Sequence, residues 1–230
     1  TEAELNQAQL EILKRNHLTG AYIRPLIFLG EGNMSLDITT APVHVLILAW
    51  PWKNIHHAYP QGIKLASGSY RRASGSVQLL KAKATGHYLT SSMALYEAKK
   101  KGAHEALLLD PDGYVCETSG QNILIIKDNK LIATASQFAL DGITRDSVLK
   151  IAQDLGIEVE ERLFTLEELY QADAAFLTGT ASEIVPIYSI DQHLLNSSQH
   201  PMLQKITLIF TQVVHGELVA YASWLNYIPS

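Results

Sequence analysis

Apolar and polar positions follow two periods along this chain, one helical and one of two residues. Over residues 2–16, Ala3, Leu5, Ala8, Ile12 and Leu13 recur at helical spacing. The run Asn16-His17-Leu18-Thr19-Gly20 supplies a stop, because Gly20 can take the left-handed conformation that ends helices. A strand is predicted over 21–29, with Tyr22 and Arg24 on one face and Ile23 on the other. Residues 43–50 are almost continuously apolar, which predicts a central strand covered on both faces, and Trp50-Pro51-Trp52 closes it.

Further on, 62–68 reads as a short strand and 90–100 as a helix ending near Gly102, its last turn basic as the helix dipole favours. Asp110-Pro111-Asp112-Gly113 is a turn between strands at 106–109 and 114–117, and Asp128-Asn129 turns another pair at 122–126 and 131–133. A helix is predicted over 147–155, a strand over 157–163, and a short helix opened by the capping box Thr165-Leu166-Glu167-Glu168. Strands at 174–177 and 185–190, a helix over 200–214 and a tail from Trp224 complete the pattern. Strands mixed with helices in this way place the chain in the α/β class.

Composition narrows the function classes. A net charge of −5 over 230 residues gives no electrostatic case for nucleic acid or an anionic membrane surface. No apolar run reaches membrane-spanning length. The single cysteine, Cys116, excludes an internal disulfide framework and fits a reducing, cytoplasmic setting. His56 and His57 are adjacent and so point in different directions, a poor metal pair, and no metal is expected. The chain opens on a helical pattern without an initiator methionine, so a preceding segment is expected.

Four stretches carry possible chemistry. Lys81-Ala82-Lys83-Ala84-Thr85-Gly86-His87-Tyr88-Leu89 sets lysines among small residues, leaving room for an amine to act as a nucleophile on an aldehyde, with a phenol close by. Glu117 begins a polar interruption, Glu117 to Asn122, in a core-like sheet. Gly142-Ile143-Thr144 before a helix offers amides and a dipole to an anion, although Thr144 as a simple N-cap explains the same pattern. Thr178-Gly179-Thr180-Ala181-Ser182-Glu183 is a second anion-suited loop. Arg24, inside an apolar strand, needs an anionic partner or a structural ion pair. An amine, a carboxylate and two phosphate loops are the set that pyridoxal 5′-phosphate requires.

With these residues in view, the chain resembles the class IV (fold type IV) pyridoxal-phosphate enzymes, most closely the branched-chain amino acid aminotransferases, over nearly its whole length. The likeness rests on Tyr22-Ile23-Arg24-Pro25, on Ala82-Lys83-Ala84 with Gly86 and Tyr88, on Glu117 five before Asn122, and on the two glycine-threonine loops. The resemblance implies a fold type IV large domain over 53–230, with residues 1–52 as a remnant of the N-terminal small domain. It implies that Lys83 is the catalytic lysine bound to the cofactor aldehyde, that Glu117 pairs with the ring nitrogen, and that Tyr88 bonds the ring hydroxyl. Ile143, Thr144 and Thr180 would hold the phosphate. Thr180 and Ala181 would receive the substrate carboxylate, with Tyr22 near it, Arg24 on a distal carboxylate and Trp52 walling the pocket.

The implied reaction is transamination between branched-chain amino acids and 2-oxoglutarate in a homodimer or higher homo-oligomer. An aminodeoxychorismate lyase-like enzyme and a non-catalytic homologue are the alternatives. Departures from the family pattern are His87 where asparagine is usual, Asp141 where proline is common, a short 134–140 stretch without prolines, and the near absence of the small domain.

Overall fold

The structure, a computed structural model, describes residues 1–32, 34–52, 59–72 and 81–226. The chain divides into two compact units, Thr1–Lys53 with Asn226–Ser230, and Asn54–Leu225. His56 and His57 lie outside the described residues.

The first unit begins with α1, Glu2–Arg15, capped by a reciprocal Thr1–Glu4 box and carrying Lys14 and Arg15 in its last turn. Two strands follow, β1 (Tyr22–Leu29) and β2 (Val43–Trp50). They pair antiparallel from Tyr22 opposite Trp50 to Leu29 opposite Val43. The expectation of a central, doubly covered strand at 43–50 is corrected here. β1 and β2 form a sheet of their own, and Leu26, Ile27, Phe28, Val43, Val45, Leu46 and Leu48 are all exposed. A continuous apolar run reports side chains suited to burial, and does not specify how many strands the chain supplies beside them.

The second unit is built on a sheet that closes on itself. In chain order its strands are β3 (Ile63–Arg71), β4 (Glu105–Leu109), β5 (Val115–Thr118), β6 (Asn122–Lys127), β7 (Lys130–Thr134), β8 (Glu158–Arg162), β9 (Ala174–Gly179), β10 (Glu183–Ile190) and β11 (His193–Leu194). Helices α2 (Tyr88–Lys100), α3 (Ile143–Asp154), α4 (Leu166–Tyr170) and α5 (Pro201–Val214) pack around them. Pairing runs β10-β3-β4-β5-β6, and β9 joins β6 back to β10, so six strands make a ring. β7 and β8 extend from β6, and β11 from β10.

Closing the ring explains the unbroken apolar runs that the sequence shows in β6 and β9. Along β6, Ile123 and Ile125 enter one core with Leu65, Leu107, Val115, Leu177 and Ile187. The alternate residues Leu124 and Ile126 enter a second core with Val148 and Ile151 of α3 and Ile206 and Phe210 of α5. Both sides of each strand are therefore dry, and period-2 alternation separates two cores instead of core from water. A third, alanine-rich contact (Ala94 and Ala98 on Ala66 and Ala106) brings α2 close onto β3 and β4. Gly62, at φ +102, enters β3 so close to β10 that a Cβ would stand 2.6 Å from the Pro186 carbonyl oxygen.

At one end of the ring the apolar pattern gives way. Glu117 of β5 lies opposite Asn122 of β6, which lies opposite Thr178 of β9. Three adjacent strands thus set a carboxylate, an amide and a hydroxyl in one cross-strand row, all buried.

β3 shifts register against β4 between Ser67 and Arg71. Glu97 of α2 clamps this bulge, its carboxylate accepting from the Ser69 amide (3.1 Å), the Ser69 hydroxyl (2.8 Å) and Lys101 Nζ (2.9 Å). Lys101 Nζ also donates to the Ser67 carbonyl at 2.8 Å. Lys101 first, and Ser69 second, hold the Glu97 carboxyl at about 2 against its usual 4.5. A depressed carboxyl stabilises the fold above its unfolded value and ceases to do so as pH falls through its folded value. The urea midpoint is therefore expected to fall between pH 4.5 and about 2 more steeply in the wild type than in Glu97→Gln.

Candidate active site

A cavity of about 290 Å³ opens at the polar end of the ring. That is near the lower end of the roughly 300–1,000 Å³ usual for ligand sites. Six parts of the second unit line it: Arg72 beyond β3, the 81–88 segment leading into α2, Glu117 to Asn122 between β5 and β6, Leu140, residues 141–144 at the start of α3, and Thr178 to Thr180 at the end of β9.

Glu117 is the chemical centre of this lining. Its side chain is 8% exposed, with Oε1 on Arg72 Nε at 2.8 Å and Oε2 accepting from the Leu140 amide at 3.0 Å. Each oxygen keeps further acceptor capacity. Burial pushes the carboxyl upward, while Arg72 first and the Leu140 amide next pull it back down. A cation brought against the remaining lone pairs would lower it further. Arg72 in turn donates from Nε to the Phe138 carbonyl at 3.3 Å.

The lysine segment folds as tight turns between small residues, with the Ala84 amide on the Ala82 carbonyl and the His87 amide on the Ala84 carbonyl. Lys83 lies within it, exposed and lining the cavity, and Tyr88 lines the same cavity as the first residue of α2. Across from them, α3 begins at Ile143 after Gly142, with no side chain capping it. This overturns the reading of Thr144 as a simple N-cap: Thr144 is the second helical residue, buried, and faces the cavity with Gly142 and Ile143. The helix consequently starts four residues earlier than 147–155 and its first amides are unclaimed by a capping side chain, which suits an anion. A Cβ on Gly142 would run into Asn122 Oδ1, so any larger residue there would have to displace the Asn122 side chain. Thr180 completes the lining from the turn between β9 and β10, and Ala181 follows it, half-buried.

Lys83, Tyr88, Glu117, Ile143, Thr144 and Thr180 thus share one cavity. Tyr22, Arg24 and Trp52 belong to the first unit and gather at one end of its hairpin. The Tyr22 ring lies 5.1 Å from Trp50 and 5.3 Å from Trp52. The Arg24 guanidinium sits 5.3 Å from the Tyr22 ring centre and 5.8 Å from that of Trp50, a cation–π arrangement, with Nη2 on the Tyr22 hydroxyl at 3.3 Å. Within this unit, aromatic faces and the Tyr22 hydroxyl meet the arginine. Sequence reading gave Arg72 no part in the site, and it quoted Lys81 and Asn122 within their motifs without assigning either a role. Arg72 lacked any signal beyond a serine- and glycine-rich setting.

The family pattern described as Amino-transferase class IV matches residues 1–190. The chain belongs to the class IV aminotransferases. A Pseudomonas aeruginosa branched-chain-amino-acid aminotransferase is 39% identical over 228 residues, covering 98% of this chain and 74% of that protein. A branched-chain aminotransferase of the archaeon Thermoproteus uzoniensis, solved with norvaline, superposes with a TM-score of 0.93 at 38% identity, covering 100% of this chain and 76% of that one. The T.th. branched-chain amino acid aminotransferase complexed with N-(5′-phosphopyridoxyl)-L-glutamate also gives 0.93, at 37% identity and the same coverage. These neighbours share the α/β architecture described above, that of fold type IV.

The cavity's donor set fits the cofactor of this family. It combines a primary amine, a phenol, a buried carboxylate with acceptor capacity left, and an uncapped helix start. Among the described residues no cluster suited to a metal ion occurs. Because Arg72 and Glu117 are both buried, removing one leaves the other uncompensated. Arg72→Met is expected to cost about 3–5 kcal/mol in urea unfolding and to push the Glu117 carboxyl further upward.

Proposed function

We propose that this chain is a pyridoxal 5′-phosphate-dependent aminotransferase that exchanges the amino group between branched-chain L-amino acids and 2-oxoglutarate. The single observation carrying the reading is that Lys83, Glu117 and the uncapped α3 start line one cavity of cofactor size. Relatives named for branched-chain substrates, and neighbours holding a phosphopyridoxyl-glutamate and norvaline, support the substrate classes.

When bound, pyridoxal 5′-phosphate supplies an aldehyde carbon for the amino group and a ring that takes up electrons. Lys83 holds that aldehyde. The Lys83 amine would also be the base that moves the proton at the substrate α-carbon. Glu117 keeps a proton on the ring nitrogen, and Arg72 and the Leu140 amide keep Glu117 aimed. Tyr88 orients the ring hydroxyl. The amide of Ile143, with Thr144 and Thr180, binds the phosphate at the positive end of α3. Thr180 and Ala181 receive the substrate carboxylate. Tyr22, Arg24 and Trp52 take the substrate side, the arginine for a distal carboxylate and the rings for an aliphatic chain.

The same reading assigns residues 1–52 to a small N-terminal domain and 53–230 to the cofactor-binding domain. It also takes the protein to be a cytoplasmic homodimer or higher homo-oligomer. Leu89, Met93 and Tyr96, exposed at helical spacing on α2, offer an apolar stripe for association. No helix among the described residues is long and apolar enough to cross a membrane.

Half-reactions followed by absorbance test the function: leucine and glutamate are each expected to convert the bound cofactor to its amine form. If neither does so in protein that binds cofactor, the transaminase reading fails. Lys83→Ala is expected to lose about 10²–10⁴-fold in rate and to retain no cofactor after borohydride treatment and dialysis.

A further inference from the structure

The strip 138–141 is held by side chains from three distant parts of the chain. Its consecutive carbonyls accept in order from Arg72 Nε at 3.3 Å (Phe138), Lys81 Nζ at 2.9 Å (Ala139) and Asn122 Nδ2 at 2.7 Å (Leu140). The Leu140 amide donates to Glu117, and the Asp141 carboxylate accepts from Lys81 Nζ at 2.7 Å. The next residue, Gly142, is the N-cap of α3. One short strip therefore connects the buried carboxylate to the helix start that faces the cavity.

Lys81 differs from the other two anchors in several respects. It makes two attachments to the strip, to a carbonyl and to a carboxylate. It lines the cavity. It also lies on the segment that bears Lys83, two residues upstream, so it ties that segment directly to the strip. Its side chain is 33% exposed and that of Asp141 68%. An ion pair so open to water adds little to global stability. Two bonds of 2.9 Å and 2.7 Å from one ammonium nevertheless fix the relative placement of the two segments.

We propose that Lys81 is a positioning residue of the active site, which, by clamping Ala139 and Asp141, sets the Lys83 segment in register with the strip that aims Glu117 and begins the phosphate-facing helix. The proposal rests on the cofactor reading above. Lys81 acts through the Lys83 segment and the strip that it ties together.

The test compares wild type with Lys81→Met, Lys81→Arg, Asp141→Ala and the Lys81→Met/Asp141→Ala double variant. Two quantities are read: hydrogen exchange at the 139–142 amides of the apoproteins, and pyridoxal 5′-phosphate affinity by absorbance titration. Lys81→Met is expected to weaken cofactor binding about 5- to 20-fold and to speed exchange at Leu140 by about fivefold or more. The urea midpoint is expected to stay unchanged. Arginine, which keeps the charge and the donors, is expected to restore both quantities to within about twofold. The double variant is expected to be no worse than Lys81→Met, since the two residues form one clamp.

Wild-type exchange at Leu140 in apo Lys81→Met would overturn the proposal. So would undiminished cofactor affinity in that variant, or single effects that multiply in the double. If the wild type itself binds no cofactor, the functional reading fails, and the exchange comparison between apoproteins still decides the clamp.

Discussion

The constraint on which this structure depends is the burial of the Glu117 carboxylate at the polar end of a ring of strands whose core is largely hydrocarbon. Taking a carboxylate out of water is costly unless partners replace the lost hydration. Here they come from opposite directions, the Arg72 guanidinium just past β3 and the Leu140 amide just before α3. Those two contacts dictate much of the surroundings. The bulge in β3, clamped by Glu97 and Lys101, precedes Arg72. The irregular strip before α3 exposes carbonyls that Arg72, Lys81 and Asn122 satisfy. Asn122 and Thr178 stand beside Glu117 in the cross-strand row, extending the polar patch across three strands. Supporting one charge has required hydrogen bonds from elements spread over much of the second unit.

The resulting cavity has a division of labour along its wall. Glu117 supplies negative charge at the depth of the ring, where water is excluded and electrostatic interactions are strong. The α3 start supplies amides and the positive end of a dipole nearer the rim, where a strongly solvated phosphate is most easily accommodated. Lys83, exposed on its small-residue loop, stands at the open side. A flat aromatic ring with a cationic nitrogen at one end and an anionic group at the other matches that polarity. The match follows from charge and burial alone, before any relative is considered.

Most of the second unit was legible in the sequence because its elements obey local rules. The Asp110 turn closes as its composition indicates, with Asp110 Oδ1 accepting from the Asp112 and Tyr114 amides. Thr165 caps α4 by accepting the Glu168 amide, although the Glu168 carboxylate turns to Arg162 and the box is not reciprocal. The N-terminus of α3 was read four residues late because its first turn is uncapped, and capping residues are the usual marker of a helix start. Arg72 and the strip at 138–140 were invisible for a different reason. Their importance comes from contacts across many residues of chain, between a side chain and backbone carbonyls that carry no sequence label. At 43–50 the reading failed through context: the residues are as apolar as a central strand demands, but β1 and β2 form a sheet of two.

The ring's order of pairing has a consequence for how the site comes into being. β3 pairs in parallel with β10, more than a hundred residues away, and β9 bridges β6 to β10. Loop closure over such a span is slow compared with hairpin formation, so β4 to β7 can assemble well before the ring is complete. A partly folded chain can therefore bring Glu117 beside Asn122, while Thr178 to Thr180 stay remote until the last strands dock. The cavity is a property of the finished ring and of no fragment of it. Any molecule that needs the whole lining can recognise only chains that have completed their long-range pairing, and by mass action it draws the folding equilibrium toward them.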